Sequence, residues 1–186
     1  MADHGKLVVI TGPSGVGKSS IAREALQRTG AEFSTSATTR APRPGEVDGR
    51  DYHFVSREAF EEMIRNGKML EHAEVFGNLY GTPMEPVTAA IAEGRTIVLD
   101  IDVQGGVQVH EKMPGATFVL VVPPGMDELA RRLRGRGTED TETVNRRLAE
   151  AEAEIRKARQ SGAYDREIVN DDLETAIQEM VQIIQE

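Results

Sequence analysis

One short segment of the sequence has glycines, a lysine and a serine spaced for binding phosphate groups. Residues Gly12 to Ser19 have the form Gly-x-x-x-x-Gly-Lys-Ser, after an apolar, β-branched run at 7–10 and before a helical pattern at about 18–28. Glycines let successive backbone N–H groups turn inward around phosphate oxygens, and a helix N-terminus adds a favourable partial charge. This is the Walker A pattern, in the strand–loop–helix context that it requires.

Two side chains of this segment have a predicted role toward a nucleoside triphosphate. Lys18 is expected to reach the β and γ phosphates, and the hydroxyl of Ser19 is expected to hold Mg²⁺. The structural alternative is a tight glycine turn with a capping serine. The motif alone does not separate a kinase from a GTPase or an ATP-driven machine.

A second group of residues is suited to binding a phosphate monoester. The segment Ser36 to Arg43 places Arg40 and Arg43 three residues apart beside a proline, and Arg50 and Tyr52 follow an acidic, glycine-bearing turn. Two guanidinium groups and a phenol can clamp a phosphate. On this segment alone, a surface loop that carries arginines explains the pattern about equally well.

Further carboxylates and hydroxyls are placed where a second nucleotide base can bind. Glu71 lies in a strand-like stretch, and Tyr80 and Thr82 are interpreted as lying in a turn. Asp100 and Asp102 close an apolar run, so they lie at the carboxyl end of a strand, where ligands bind in open α/β sheets. Capping of the following helix is the alternative role of Asp102.

The hydrophobic pattern around these residues predicts an α/β fold. Buried strands are expected at 7–10, 96–100, 116–122 and 167–169, alternating with helices at 18–28, 103–112 and 126–134. This alternation implies a parallel sheet with helices on both faces. A final helix from about Leu173 has an apolar stripe that is expected to pack on the sheet.

Two parts of the chain depart from this alternation. The middle third has short predicted strands at 33–39, 51–54 and 69–76 around a helix at 57–66, and we interpret it as an inserted lobe. The polar, glycine-containing segment 135–141 leads into a charged helix at 143–160, which is consistent with a mobile lid. We therefore predict a single domain in which 1–33, 96–125 and 165–186 form the core, 34–95 the inserted lobe and 126–164 the lid.

Composition excludes several classes of function. A chain of 186 residues with 39% hydrophobic and 28% charged residues fits one compact domain. The absence of cysteine excludes disulfides and thiol catalysis, and the four histidines do not cluster as metal ligands would. A net charge of −9 argues against binding to nucleic acid or an acidic membrane. With no apolar span and no signal-peptide pattern at the start, we expect a cytoplasmic protein.

Taken in order, these motifs resemble the guanylate kinase family along nearly the whole chain. The resemblance is carried by several spaced segments, namely Gly12 to Ser19, Ser36 to Arg43 with Tyr52, Glu71, Tyr80 to Thr82, Leu99 to Gly105, Arg132 to Gly137 with Arg147, and Val169 to Asp172. It implies a P-loop fold and Mg²⁺-dependent transfer of the γ-phosphoryl group of ATP to GMP and to dGMP.

The resemblance also implies roles for individual residues. The GMP site would comprise Ser36, Arg40, Arg43, Tyr52, Glu71, Tyr80, Thr82 and Asp102. ATP would be bound by Gly12, Pro13, Ser14, Gly15, Val16, Gly17, Lys18, Ser19 and Ser20, with Arg132, Asn170 and Asp171 toward the adenine. Catalysis would depend on Lys18, Arg43, Arg136 and Arg147, and Mg²⁺ on Ser19 and, through water, Asp100.

Two other functions compete with this interpretation. Guanylate-kinase-like domains of scaffold proteins bind phosphorylated peptides without catalysis, but they typically lose the P-loop and the GMP-contacting serine, and Gly12 to Ser19 and Ser36 are intact here. A related kinase could phosphorylate another acceptor. Glu71 with Ser36 and Thr82 favours guanine, because a carboxylate can accept from the two N–H donors of that base. The sequence leaves open whether the chain forms a homo-oligomer.

Overall fold

The structure is a computed structural model that describes residues 5–135 and 140–186. Within these residues there are nine strands and seven helices. The strands are β1 (Leu7–Thr11), β2 (Glu32–Phe33), β3 (Ala37–Thr38), β4 (His53–Phe54), β5 (Met69–Val75), β6 (Asn78–Pro83), β7 (Ile97–Asp100), β8 (Thr117–Val122) and β9 (Arg166–Val169). The helices are α1 (Lys18–Thr29), α2 (Arg57–Arg65), α3 (Met84–Ala92), α4 (Val103–Lys112), α5 (Met126–Gly135), α6 (Thr141–Ser161) and α7 (Leu173–Gln185).

The larger sheet has five strands in the order β2-β7-β1-β8-β9, and every pair is parallel. Strand β1 lies at its centre, where Val8, Val9 and Ile10 are fully buried. A parallel strand that is covered on both faces needs apolar side chains along its whole length, which explains the run at 7–10. Because Ile10 pairs with Asp100, the carboxyl ends of β1 and β7 meet at the same edge of the sheet.

Helices cover both faces of this sheet, as the sequence predicts. Val8 and Ile10 point to one face, where they join a core formed with α1, α5, α6 and α7. Leu7 and Val9 point to the other face and pack with Val87 of α3 and with α4. The alternation follows from the two-residue period of a strand.

A smaller sheet forms from the middle third of the chain, with strands in the order β4-β3-β6-β5. It has its own apolar cluster, in which Phe60 of α2 packs against Ala37, Met69 and Leu79 of three of the strands. Strand β6 pairs antiparallel with both β5 and β3 and is therefore an inner strand. The parallel pairing of β3 with β4 completes the sheet.

The structure corrects three details of the sequence interpretation. The stretch predicted as one strand at 33–39 is divided, because β2 pairs with β7 in the larger sheet whereas β3 pairs within the smaller sheet. Tyr80 and Thr82 lie in strand β6 rather than in a turn, since their segment pairs on both sides. Helix α3 was not anticipated.

Helix α4 joins the two sheets through side chains that bond to the backbone of β5. Gln108 accepts from the N–H of His72 at 3.2 Å and donates to its carbonyl at 3.0 Å. Lys112 donates to the carbonyl of Met69 at 2.8 Å.

Of the helices in the described parts of the chain, none combines the length and the apolar character that crossing a bilayer requires.

Candidate active site

The glycine-rich loop lies at the carboxyl end of β1 and leads directly into α1. Gly12 and Gly17 have φ angles of +143° and +96°, in the region that favours glycine. A Cβ atom at Gly17 would lie 2.5 Å from the side-chain nitrogen of Asn170, and one at Gly12 would collide with the carbonyl of Val121. Both positions therefore require glycine for conformation and for space.

The first turn of α1 presents backbone N–H groups to the loop. Gly17 precedes the helix and supplies no side-chain hydrogen bond to it, so capping does not consume these donors. Lys18 folds over the loop, where its ammonium group donates to the carbonyl oxygens of Gly12 and, at 3.4 Å, of Pro13. Burial lowers the pKa of Lys18, while Asp100, Glu154 and Asp102 act in the opposite direction. These carboxylates favour the ammonium form of Lys18, which is the form that can bind phosphate.

Ser19 and Asp100 come together where β7 ends. The Ser19 hydroxyl donates to the Asp100 carboxylate at 2.8 Å, at an exposed position beside the loop. Mg²⁺ binds oxygen ligands and usually takes only one or two from the protein, with phosphates and water completing its shell. The chemistry of this pair therefore fits the predicted metal site.

On the other side of the loop, residues predicted to face adenine also fix the loop's shape. The buried Asn170 donates from its amide to the carbonyl of Val16 at 2.7 Å. Arg132 donates to the carbonyl of Asn170 at 2.9 Å and to Glu128 at 2.7 Å. Asp171 is exposed beside them. A series of hydrogen bonds thus connects α5 to the phosphate-binding loop, running from Glu128 through Arg132 and Asn170 to Val16.

A buried carboxylate marks the second candidate site. Glu71 in β5 pairs across the strands with Thr82 in β6, whose hydroxyl donates to Glu71 at 2.7 Å. Glu71 is only 6% exposed. Burial raises its pKa to about 7, with the nearby Asp102 acting in the same direction and Thr82 opposing. This group therefore changes its charge near neutral pH.

Helix α4 begins beside this carboxylate. Asp102 caps the helix by accepting from the N–H of Gly105 at 2.6 Å, which is the alternative role foreseen for it. A Cβ atom at Gly105 would lie 3.1 Å from Glu71 and 3.4 Å from Asp102. The missing side chain of Gly105 leaves room between the two carboxylates, a feature that the sequence analysis did not identify.

The predicted phosphate-binding residues group at the far end of the smaller sheet. The Arg40 guanidinium lies 5.5 Å from the centre of the Tyr52 ring, and the rings of Tyr52 and Tyr80 are 6.0 Å apart. Arg40 also makes a two-pronged ion pair with Glu46, at 2.9 and 3.0 Å. Arg43 is exposed on the same loop. Of the four predicted phosphate-binding residues, Arg40, Tyr52 and Tyr80 thus lie close together. Glu46, which the sequence analysis did not name, contacts Arg40.

A cleft of about 710 Å³ connects the two sites. Ser19 and Asp100 line it from the larger sheet, while Ser36 and Tyr52 line it from the smaller one. This volume is in the range of pockets that bind small organic ligands. Two residues of the predicted metal site and two of the predicted acceptor site therefore face a common space.

The helices predicted to form the lid lie beside the phosphate-binding loop. Asp140 caps α6 by accepting from the N–H of Thr143 at 2.7 Å, and Arg147 is half-buried two turns further along. Glu154 of the same helix interacts electrostatically with Lys18, and burial raises its pKa. Arg136 lies outside the described residues.

Comparison with known proteins gives consistent results over the whole chain. The family model described as guanylate kinase matches residues 4–186. A guanylate kinase of Lactococcus lactis subsp. lactis is 47% identical over 186 residues, covering 100% of this chain and 89% of the relative. One of Rubrobacter xylanophilus is 50% identical over 182 residues, covering 97% and 94%.

Solved structures agree with these sequence relatives. The crystal structure of guanylate kinase from Anaplasma phagocytophilum matches with a TM-score of 0.75 at 36% identity, covering 98% of this chain and 86% of that one. A shikimate kinase from Bacteroides thetaiotaomicron matches with a TM-score of 0.53 at 17% identity, covering 97% and 96%, which is a likeness of fold alone.

Proposed function

Because the chain belongs to the guanylate kinase family of nucleoside monophosphate kinases, we propose that it transfers the γ-phosphoryl group of ATP to GMP and to dGMP. The observation that carries the choice of acceptor is the buried Glu71, hydrogen-bonded to Thr82 and separated from Asp102 by the space that Gly105 leaves. A carboxylate in such surroundings needs donors, and guanine presents them.

The hydrogen-bonding groups of the two purines differ where Glu71 would meet them. Guanine has N–H donors at N1 and at its exocyclic amine, whereas adenine has a lone pair at N1. Ionised Glu71 accepts from both guanine donors, Asp102 assists at the amine, and the hydroxyl of Ser36 can donate to O6 or N7, while the one proton of the Thr82 hydroxyl is donated to Glu71. A charged hydrogen bond contributes about 1.5–3 kcal/mol, and an unpaired buried carboxylate adds a penalty when adenine enters.

The acceptor phosphate would be held by Arg40, Arg43, Tyr52 and Tyr80. Its own oxygen is the nucleophile and is already ionised at neutral pH, so the reaction needs no general base. The rate then depends on in-line alignment and on neutralising the charge of the transferring group. We assign that neutralisation to Lys18, Arg43, Arg136 and Arg147.

The donor would bind along the glycine-rich loop. The loop from Gly12 to Ser20 receives the phosphates through its free backbone N–H groups, which exclude Pro13 and Ser20, while Arg132, Asn170 and Asp171 lie toward the adenine. Mg²⁺, held by Ser19 and through water by Asp100, would supply positive charge to the β and γ phosphates. The Ser19–Asp100 hydrogen bond of 2.8 Å supports this placement, since it brings together the two side chains whose oxygen atoms would bind Mg²⁺ or its water.

We propose that the smaller sheet, within 34–95, is the GMP-binding lobe and that 126–164 is the lid. The separate apolar cluster around Phe60 supports the first assignment, because it lets the smaller sheet hold its shape as a unit. Closure of the two parts over the cleft would exclude water and limit wasteful hydrolysis of ATP.

The proposal is tested by measuring ADP formation with GMP, dGMP, AMP, CMP and UMP as acceptors. We expect kcat/KM for GMP and dGMP to exceed that for AMP by about 100-fold or more. Comparable rates with AMP or a pyrimidine nucleotide would contradict the assignment of the base pocket. Binding of GMP without any turnover would instead favour a non-catalytic binding domain.

We further propose that the enzyme acts in the cytoplasm, where ATP and nucleoside monophosphates are available. Fractionation of cells that express it should recover the GMP-dependent activity with the soluble proteins. Recovery with the membranes would contradict this location.

A further inference from the structure

A tight turn in the loop between β3 and β4 places Glu46 against both predicted phosphate-binding arginines. Its residues are Arg43, Pro44, Gly45 and Glu46, and the N–H of Glu46 donates to the carbonyl of Arg43 at 3.0 Å. Gly45 has a φ angle of +89°. Proline followed by a glycine with positive φ is the signature of a type II turn. The sequence here is therefore suited to turning the chain back at Glu46.

The turn directs the Glu46 carboxylate into two separate contacts. One oxygen accepts from Nη2 of Arg40 at 2.9 Å, and the other accepts from Nη1 of Arg40 at 3.0 Å and from the backbone N–H of Arg43 at 2.7 Å. Only 14% of the Arg40 side chain and 19% of the Glu46 side chain are exposed. A single carboxylate thus fixes the guanidinium of one arginine and the backbone of the other.

The hydrogen bonds of Arg40 show which edge of its guanidinium has an unused donor. Nη1 also donates to the carbonyl of Ala41 at 2.7 Å, so both of its protons are used. Nε is buried and has no hydrogen-bond partner among the described residues. A guanidinium that is gripped by both Nη atoms still presents Nε–H on another edge, and such an edge can bind a second oxyanion.

We infer that Glu46 is a positioning residue for the acceptor phosphate: it grips both Nη atoms of Arg40, leaves the Nε edge as the one with an unused donor, and fixes the backbone from which Arg43 extends. The inference rests on the proposed function, since it assigns a phosphate to Arg40. The opposite possibility is that Glu46 competes with the phosphate for Arg40. The two differ in sign, because loss of a competitor strengthens binding and loss of a positioning residue weakens it.

The surroundings of Arg40 favour the positioning role. Its guanidinium lies over the rings of Tyr52 and Phe54, at 5.5 and 5.9 Å, so packing restrains the plane in which it can turn. Hydrogen bonding to Glu46 raises the pKa of Arg40, and the phenol of Tyr80 contributes in the same direction. Glu46 therefore holds the guanidinium beside two of the other proposed phosphate ligands.

The test is the Glu46→Gln variant, with Glu62→Gln on the exposed side of α2 as the charge-matched control. We expect Kd for GMP, measured by calorimetry, to rise by about 10-fold or more in Glu46→Gln. The inhibition constant of guanosine, which lacks the phosphate, should change by less than about 2-fold. Glu62→Gln should behave as the wild-type protein in both measurements.

A second comparison keeps the inference testable if Glu46→Gln is poorly folded, which thermal unfolding would reveal. Glu46→Asp keeps the charge but has a shorter reach, and it should also weaken GMP more than guanosine. Arg40→Lys cannot make the two-pronged pair, so adding Glu46→Gln to it should weaken GMP binding by a smaller factor than Glu46→Gln does in the wild-type protein, the remainder coming from the contact with the Arg43 backbone.

The possible results separate cleanly. Unchanged or tighter GMP binding in Glu46→Gln, or equal weakening of GMP and guanosine, would overturn the positioning role. A wild-type protein that binds neither GMP nor guanosine would overturn the proposed function instead.

Discussion

The phosphate-binding part of the predicted donor site is formed mainly by backbone of consecutive residues, Gly12 to Ser20, whereas the acceptor site takes single side chains from β5, β6 and the loop between β3 and β4. Backbone N–H groups bind any phosphate, and they do not distinguish one base from another. The buried carboxylate of Glu71, held by Thr82, can select one base over another, because it binds well only to a base that presents N–H donors to it.

The difference predicts how each site fails. A change in the donor loop should reduce the rate of phosphoryl transfer and leave recognition of the acceptor intact. A change in the acceptor pocket should alter which nucleotide is used.

Lys18→Met should have the largest effect. The ammonium group lies over the loop and should meet only the ATP phosphates, so kcat should fall by about 1,000-fold or more while Kd for GMP stays within about 2-fold. Turnover is measured by ADP formation and GMP binding by calorimetry. A variant that kept more than about a tenth of wild-type kcat, a loss under roughly 1.4 kcal/mol, would contradict the role of Lys18.

Arg147→Ala should come next. If Arg147 of α6 contacts the transferring group in the closed complex, kcat should fall by about 100-fold, with GMP affinity measured without ATP nearly unchanged. The matched control is Arg134→Ala, at an exposed position of α5, which should leave turnover almost normal. Weaker GMP binding in the absence of ATP would place Arg147 in the acceptor site. The same test applies to Arg136.

Glu71→Gln should change specificity more than rate. An amide can turn to face either a donor or an acceptor, so kcat/KM for GMP should fall by about 10- to 100-fold and the preference over AMP should narrow. The observable is the ratio of kcat/KM for GMP to that for AMP. An unchanged ratio would remove Glu71 from the base pocket.

The smallest effect concerns pH. Guanine needs ionised Glu71, and the pKa of this group in the free protein is about 7, so protonation competes with GMP as pH falls. Kd for GMP should therefore be about 10-fold higher at pH 6 than at pH 8. The phosphate of GMP also titrates, with a pKa of about 6. In Glu71→Gln, only the part of the pH dependence of Kd that comes from this phosphate should remain. Equal pH dependence in both proteins would contradict the role of Glu71.

The sequence was sufficient to predict those parts of the site that are formed by residues close together in the chain. The phosphate-binding loop could be predicted because its strand, glycines and helix are contiguous, and the structure places them in that order. Ser19 was assigned from the Walker A pattern, and Asp100 from its place at the carboxyl end of a strand, where ligands bind in open α/β sheets. Their hydrogen bond at 2.8 Å agrees with that reasoning.

Contacts that depend on register or on distant packing could not be predicted. Glu71 and Thr82 were both identified, but their pairing depends on the hairpin turn at Phe76 and Gly77, which have φ angles of +49° and +78°. Asn170 bonds to Val16, 154 positions away, and no local pattern records that contact. Glu46 could have been suspected, since Pro44 and Gly45 predict the turn that brings it back to Arg40.

The contacts of α4 with β5 have a consequence for the behaviour of the protein at high concentration. Strand β5 is an edge of the smaller sheet, and an unpaired strand edge is a template on which another chain can add a strand and begin to aggregate. Gln108 occupies both hydrogen-bonding groups of His72, and Lys112 occupies the carbonyl of Met69, so these side chains take the place of a neighbouring strand. The opposite edge, β4, is only two residues long. Both edges of the smaller sheet are thereby made poor partners for a second molecule, which favours solubility.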